Sequence, residues 1–210
     1  MRLMILGASG VVGRKVLERA LKSDTFSRIV APTRRPLPAA GPIENPVIDF
    51  SLPLPDGDWW NVDAVICCLG TTRRQAGSKE AFFAIDHDLV LACAEAAHRR
   101  GAHTFALNSS LGADPGSRNF YLQTKGQTET DLGVLGFRRL VLVRPSLIDA
   151  EREEQRFGEQ LGLRAARLLA PLVPARYRAV PAEQIAATLL QQLDGEAGTT
   201  VIESDQIGRH

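Results

Sequence analysis

Leu3-Met4-Ile5-Leu6-Gly7-Ala8-Ser9-Gly10-Val11-Val12-Gly13-Arg14-Lys15-Val16-Leu17 decides the fold. Its first four residues form an uninterrupted apolar run, the pattern of a strand buried on both faces. The run breaks at Gly7, and past the glycines the apolar positions (Val12, Val16, Leu17, Ala20, Leu21) take helical spacing. Strand, glycine-rich turn and helix in this order make the phosphate-binding opening of a doubly wound nucleotide fold. Gly7 permits the tight turn, Gly10 lets the backbone approach a pyrophosphate, and Gly13 lets the helix pack closely on the strand. The N–H groups that open the helix, aided by its dipole, then face the phosphates. The spacing is G-x-x-G-x-x-G, and no Gly-Lys-Ser/Thr follows, which excludes a P-loop. The plain alternative is an ordinary strand-to-helix turn of another α/β protein.

Composition narrows the class. A chain of 210 residues is the length of one domain with a full core, and 44% apolar and 23% charged residues are the proportions of a globular protein. A net charge of +1 supplies no global field for nucleic acid or a membrane surface. Three cysteines, two of them adjacent (Cys67, Cys68), cannot build a disulfide framework, and with four scattered histidines they lack metal-ligand spacing. No metal is expected. The first strand begins at the start of the chain, leaving no room for a signal peptide, and no apolar run reaches membrane-spanning length. A cytoplasmic location is the expectation.

Further along, Arg28-Ile29-Val30-Ala31-Pro32-Thr33 reads as a second strand ending in Arg34-Arg35. In this fold the end of the second strand meets the adenosine ribose, where an acid favours NAD and an arginine accommodates the 2′-phosphate of NADP. Arg34 and Arg35 with no neighbouring acid point to NADP(H), against the bland reading of a solvated loop. After a proline-rich link over 36–46, Val47-Ile48-Asp49 reads as a short third strand. Trp59 and Trp60 read as packing residues that start a short helix. Ala64-Val65-Ile66-Cys67-Cys68-Leu69-Gly70 is a fourth, central strand and its exit, the cysteines buried and inert. A helix over 79–100 follows, with His87 and His98 placed on its surface. The fifth strand, 103–108, ends in Ser109-Ser110. A helix over 121–135, a sixth strand over 140–144, helices over 153–169 and 182–193, and a last strand over 199–202 complete the chain. Six strands with intervening helices predict a parallel sheet in the order 3-2-1-4-5-6 with the ligand over its carboxyl edge. The whole is one domain, in which residues 146–198 form the substrate side.

Tyr121 and Lys125 stand four apart on one helix, so the phenol and the ammonium share a face. A free phenol has a pKa of about 10, too high for a proton carrier at neutral pH, and a nearby ammonium favours the phenolate. A hydroxyl from Ser109 or Ser110 could orient a substrate oxygen. The chain has two tyrosines and four lysines; the null alternative, a surface tyrosine that happens to sit near a lysine, has to place that pair just after the fifth strand.

Together, Gly7-x-x-Gly10-x-x-Gly13, Ser109-Ser110 and Tyr121-x-x-x-Lys125 resemble the short-chain dehydrogenase/reductase superfamily, in its compact atypical branch. Cys67-Cys68-Leu69-Gly70-Thr71-Thr72-Arg73, Ser109-Ser110-Leu111-Gly112-Ala113-Asp114, Tyr121-Leu122-Gln123-Thr124-Lys125-Gly126 and Arg144-Pro145 extend the likeness over nearly the whole chain. The resemblance implies NADPH held by Ser9, Gly10, Val11, Val12, Arg34, Arg35, Leu69 and Gly70, with Ile148 and Arg156 on the cofactor's far side. It implies Tyr121 as proton donor or acceptor and Lys125 on the nicotinamide ribose. Val11-Val12 replaces a more polar pair of the mammalian relatives, which leaves the backbone cradle intact.

Three functions compete. The first is an NADP(H)-dependent reductase or dehydrogenase acting on a small carbonyl or alcohol, with Tyr121 as proton carrier and Ser110 preferred to Ser109. The second is a non-catalytic sensor of NADP(H) that signals to a protein partner; a homodimer is a further possible assembly. The third is an NAD(P)-dependent epimerase or dehydratase, whose usual larger C-terminal domain is missing.

Overall fold

The computed structural model describes residues 1–38, 41–149 and 174–209. In its first strand, β1 (Arg2–Leu6), Leu3 and Ile5 point to one face and Met4 and Leu6 to the other, and all four are fully buried. A strand apolar on both sides requires a helical layer over each. Four of its sheet partners run parallel: β2 (Arg28–Val30), β3 (Ala64–Cys67), β4 (Thr104–Asn108) and β5 (Arg139–Arg144). Helices α1 (Val11–Ala20), α2 (Arg73–Ala76), α3 (Lys79–Phe83), α4 (Leu89–Arg99) and α5 (Phe120–Val134) lie between these strands. A short parallel pair, β6 (Ile148–Asp149) and β7 (Val180–Pro181), precedes α6 (Ala182–Gln191) and the last strand, β8 (Gly198–Glu203). The large sheet has the order β2-β1-β3-β4-β5-β8.

Each face has its own core. Leu3, Ile5 and Ile66 pack with Val12 and Val16 of α1 and Ile185 and Leu189 of α6. Met4, Leu6, Val65, Phe105 and Leu107 pack with Val90, Cys93 and Ala97 of α4 and Leu132 of α5. The doubly wound architecture read from the sequence is therefore the observed one.

Its edges differ from the predicted order. Residues 47–49 do not form a third strand; this segment meets the β2 edge only through isolated bridges, Val30 with Glu44 and Thr33 with Val47. Four backbone hydrogen bonds form there, among them Ala31 N–H to Glu44 O at 2.8 Å and Ile48 N–H to Thr33 O at 2.9 Å. Pro32, Pro42 and Pro46 carry no N–H and interrupt the ladder on both sides. At the other edge β8 pairs parallel with β5, Leu140 opposite Thr199, and restores the count to six.

The helix predicted over 79–100 is also broken. It runs as α3, a π-helical stretch (Ala84–Asp88) and α4. His87, placed on the surface by sequence, is buried: its ring stacks on Phe83, and its nitrogens lie 2.8 Å from carboxylate oxygens of Asp88 and Asp131. The π-helical turn carries Asp86 and His87 inward. The helix predicted over 153–169 lies outside the described residues.

The tightest joint is α1 on β1, where a Cβ added to Gly13 would lie 2.1 Å from the Gly7 carbonyl oxygen. Gly13→Ala should cost about 1–3 kcal/mol through overpacking and lower Tm by roughly 2–4 °C per kcal/mol. Gly133→Ala, on an exposed turn of α5 where an added Cβ meets nothing within 4 Å, should raise stability by about 0.4–1 kcal/mol. Thermal unfolding of the two variants checks the contrast.

Candidate active site

The carboxyl ends of β1 and β2 form the first half of the site. Gly7 adopts φ +78°, and its carbonyl accepts the Gly10 N–H at 2.9 Å. Gly10 caps α1 without a side chain, so the first-turn N–H groups face the sheet's carboxyl edge unshielded by a capping group. Val12 is buried in the core and Val11 is 40% exposed, so only their backbone can serve a ligand in this cradle.

Beside it lies a cleft of about 540 Å³ lined by Ser9, Arg14, Arg34, Arg35 and residues 36–38. Buried Thr33 shapes the arginine turn: its hydroxyl donates to Arg35 O at 2.6 Å and accepts from the Asn45 amide at 2.8 Å. Arg34 and Arg35 thus meet Ser9, as the sequence anticipates, and Arg14 joins them. Sequence reading missed Arg14, although a cation directly after the third glycine was its signal. Three guanidinium groups therefore stand beside the N-terminus of α1, a concentration of positive charge and hydrogen-bond donors suited to an anion.

The second half belongs to α5. Asn119 caps it, its side chain accepting the N–H groups of Tyr121 (2.9 Å) and Leu122 (3.4 Å). This fixes the first turn, where the Tyr121 ring packs on Phe82 with centroids 5.7 Å apart. One turn on, Lys125 is 5% exposed, and its Nζ lies 2.7 Å from Oδ1 of Asp86, which is itself buried. The Thr71 N–H donates to Asp86 Oδ2 at 2.8 Å, and Thr128 Oγ1 donates to the Asp86 backbone carbonyl at 3.0 Å. Burial alone would push the Lys125 ammonium down; the Asp86 carboxylate, with smaller help from Tyr121, outweighs it and holds Lys125 above the ordinary lysine range. A Cβ added to Gly70 would sit 3.3 Å from Asp86 Oδ1 and 3.6 Å from Lys125 Nζ. Gly70 therefore leaves the ion pair open toward the β3 exit, beside Leu69.

The β4 exit supplies the serines, both buried. Ser109 Oγ donates to Glu129 Oε1 at 2.5 Å, and Glu129 is clamped by Arg144, which reaches on to Glu203. This network holds α5 to the ends of β4, β5 and β8. Among the described residues the Ser110 hydroxyl makes only a long contact, 3.5 Å to Leu111 O, so it can turn to another acceptor. Ile148 lies on β6, paired with Val180 and 40% exposed, and Arg156 lies outside the described residues. Cys67 and Cys68 fit the packing reading: burial pushes the Cys67 thiol up to about 12 and raises Cys68 as well. Asp86 escaped sequence reading too. Its signal was a carboxylate four residues after Phe82 and three before Leu89, within the apolar stripe of the predicted helix.

No family model matches the chain. Among relatives, protein FMP52 of Eremothecium gossypii is 36% identical over 159 residues, 75% of this chain and 71% of its own length. Protein FMP52 of Meyerozyma guilliermondii aligns over 97% of this chain and 92% of its own at 32% identity. Protein HTATIP2 of Rattus norvegicus is 40% identical over 166 residues, 75% of this chain and 66% of that protein. Two solved structures share the fold over nearly their full lengths. A short chain dehydrogenase family protein from Francisella tularensis has TM-score 0.70 at 13% identity and 98% coverage of both chains. A putative NAD-dependent epimerase/dehydratase from Bacillus halodurans has TM-score 0.67 at 18% identity, covering 100% of this chain and 99% of that one. The FMP52 relatives are named mitochondrial, which overturns the cytoplasmic expectation. Three free cysteines do not choose among compartments. Among the described residues no helix is long and apolar enough to cross a membrane. With these relatives, the chain belongs to the family of FMP52 and HTATIP2, and its fold is that of the solved short-chain dehydrogenase and epimerase/dehydratase structures.

Proposed function

We propose that this chain is an NADP(H)-dependent oxidoreductase that interconverts a small carbonyl and its alcohol. One observation carries the reading: a buried ammonium, Lys125, stands one helical turn from Tyr121 on α5 and lies against Gly70 at the β3 exit. A lysine is rarely buried without a task that repays its desolvation.

The Gly7–Gly13 turn would hold the pyrophosphate of the cofactor. Arg34 and Arg35, with Arg14, would hold the 2′-phosphate, since among the described residues no carboxylate lines that cleft to select a free ribose. When bound, the nicotinamide supplies or accepts a hydride. The Tyr121 hydroxyl gives its proton to the substrate oxygen during reduction and takes it back during oxidation. The Lys125 ammonium stands one turn from the phenol on the same helix and has donors left for the ribose. Ser110 orients the substrate oxygen, because the Ser109 hydroxyl is committed to Glu129. The substrate side would come from residues 146–198, of which 150–173 lie outside the described residues.

Two measurements test the reading. Tyr121→Phe should keep NADPH affinity within about twofold, since the phenol acts on substrate, yet lose on the order of 10²–10⁴-fold in turnover across a carbonyl panel. NADPH bound by wild type with no turnover on any carbonyl would favour the sensor. For cofactor choice, Arg34→Ala/Arg35→Ala should weaken NADPH by at least about tenfold, each lost charge-assisted bond being worth about 1.5–3 kcal/mol. NADH affinity should hardly move. Equal losses for both cofactors would contradict the 2′-phosphate assignment.

A further inference from the structure

We infer that Asp86 is the positioning residue for Lys125, holding its ammonium charged and aimed at the cofactor ribose. The inference rests on the reading above and concerns how the same site is set. Three contacts immobilise Asp86. Its carboxylate bonds Lys125 Nζ on one oxygen and the Thr71 N–H on the other, and its backbone carbonyl accepts from Thr128. It therefore ties together the β3 exit, the π-helical turn and α5. Such π turns recur at functional positions because they re-aim individual side chains. The carboxylate occupies one of the three ammonium donors, leaving two for neighbouring acceptors such as a vicinal diol.

A buried ammonium without a counter-charge is costly and sheds its proton. The ionisable groups acting on Lys125 are Asp86 from the π turn, Tyr121 from its own helix and Cys67 from β3. Of these, Asp86 is the acid that pairs with the ammonium in direct contact. Asp86→Asn keeps the shape, removes the charge and leaves one accepting oxygen, its NH2 replacing the other. The Lys125 pKa then falls, so the ammonium is present at low pH and lost as the pH rises.

NADPH affinity, read by equilibrium titration between pH 5.5 and 9 and expressed relative to wild type, tests this without a known substrate. At pH 9 Asp86→Asn should bind as weakly as Lys125→Met, each about tenfold below wild type for the loss of charge-assisted bonds. On acidification Asp86→Asn should recover toward wild type while Lys125→Met stays weak. A loss independent of pH, or no loss at pH 9, would overturn the inference. Should Asp86→Asn not fold, the double variant Asp86→Asn/Lys125→Met removes both charges of the buried pair and avoids an orphaned ion. It should match Lys125→Met in affinity; a further loss would show that Asp86 acts independently of Lys125. Wild type that binds neither NADPH nor NADH would instead refute the cofactor reading itself.

Discussion

The structure hangs on a backbone contact that admits no side chain. A Cβ on Gly13 would lie 2.1 Å from the Gly7 carbonyl oxygen, and one on Gly7 would lie 2.6 Å from the Cys68 carbonyl oxygen. Helix α1 therefore sits directly on the turn that ends β1, and that turn sits on the exit of β3. The contact fixes how the phosphate cradle stands relative to Leu69 and Gly70, where the second half of the site opens. Close packing of this kind transmits position because the interior has no slack to absorb a shift.

The second half depends on charge. Most helices here bury an apolar stripe, but α5 buries Thr124, Lys125, Thr128 and Glu129 beside Leu132. Each of these four is answered: Lys125 by Asp86, Thr128 by the Asp86 and Thr124 carbonyls, Thr124 by Phe120 O, and Glu129 by Ser109 and Arg144. A helix held by polar partners is more specific in position than one held by oil alone, since a displacement leaves buried groups unpaired. That specificity suits the role proposed for Tyr121 on its first turn.

What could be read from sequence divides along the same line. The β1–α1 opening, the parallel sheet and the Tyr121/Lys125 pair are local patterns, set by apolar runs, glycine spacing and an i, i+4 relation, and all reappear in the fold. Features set by long-range partners were not legible. Proline interrupts the 47–49 segment only in the context of the β2 edge, and β8 finds its place beside β5 by pairing across the chain. The partners that make Asp86 and His87 buried polar groups, Lys125 and Asp131, come from α5, and no helical period shows them. Ser109 and Ser110 are neighbours in sequence, and only the Glu129 contact separates them in role. The compartment could not be read from thiol count, because reducing environments share that chemistry.

The most direct test of the central claim is a crystal structure of the chain with NADP⁺. The account predicts the pyrophosphate on the first-turn N–H groups of α1 and the 2′-phosphate among Arg14, Arg34 and Arg35. It also predicts the nicotinamide ribose hydroxyls about 3 Å from Lys125 Nζ, with the Asp86 contact retained. A cofactor bound elsewhere, or a ribose out of reach of Lys125, would contradict it.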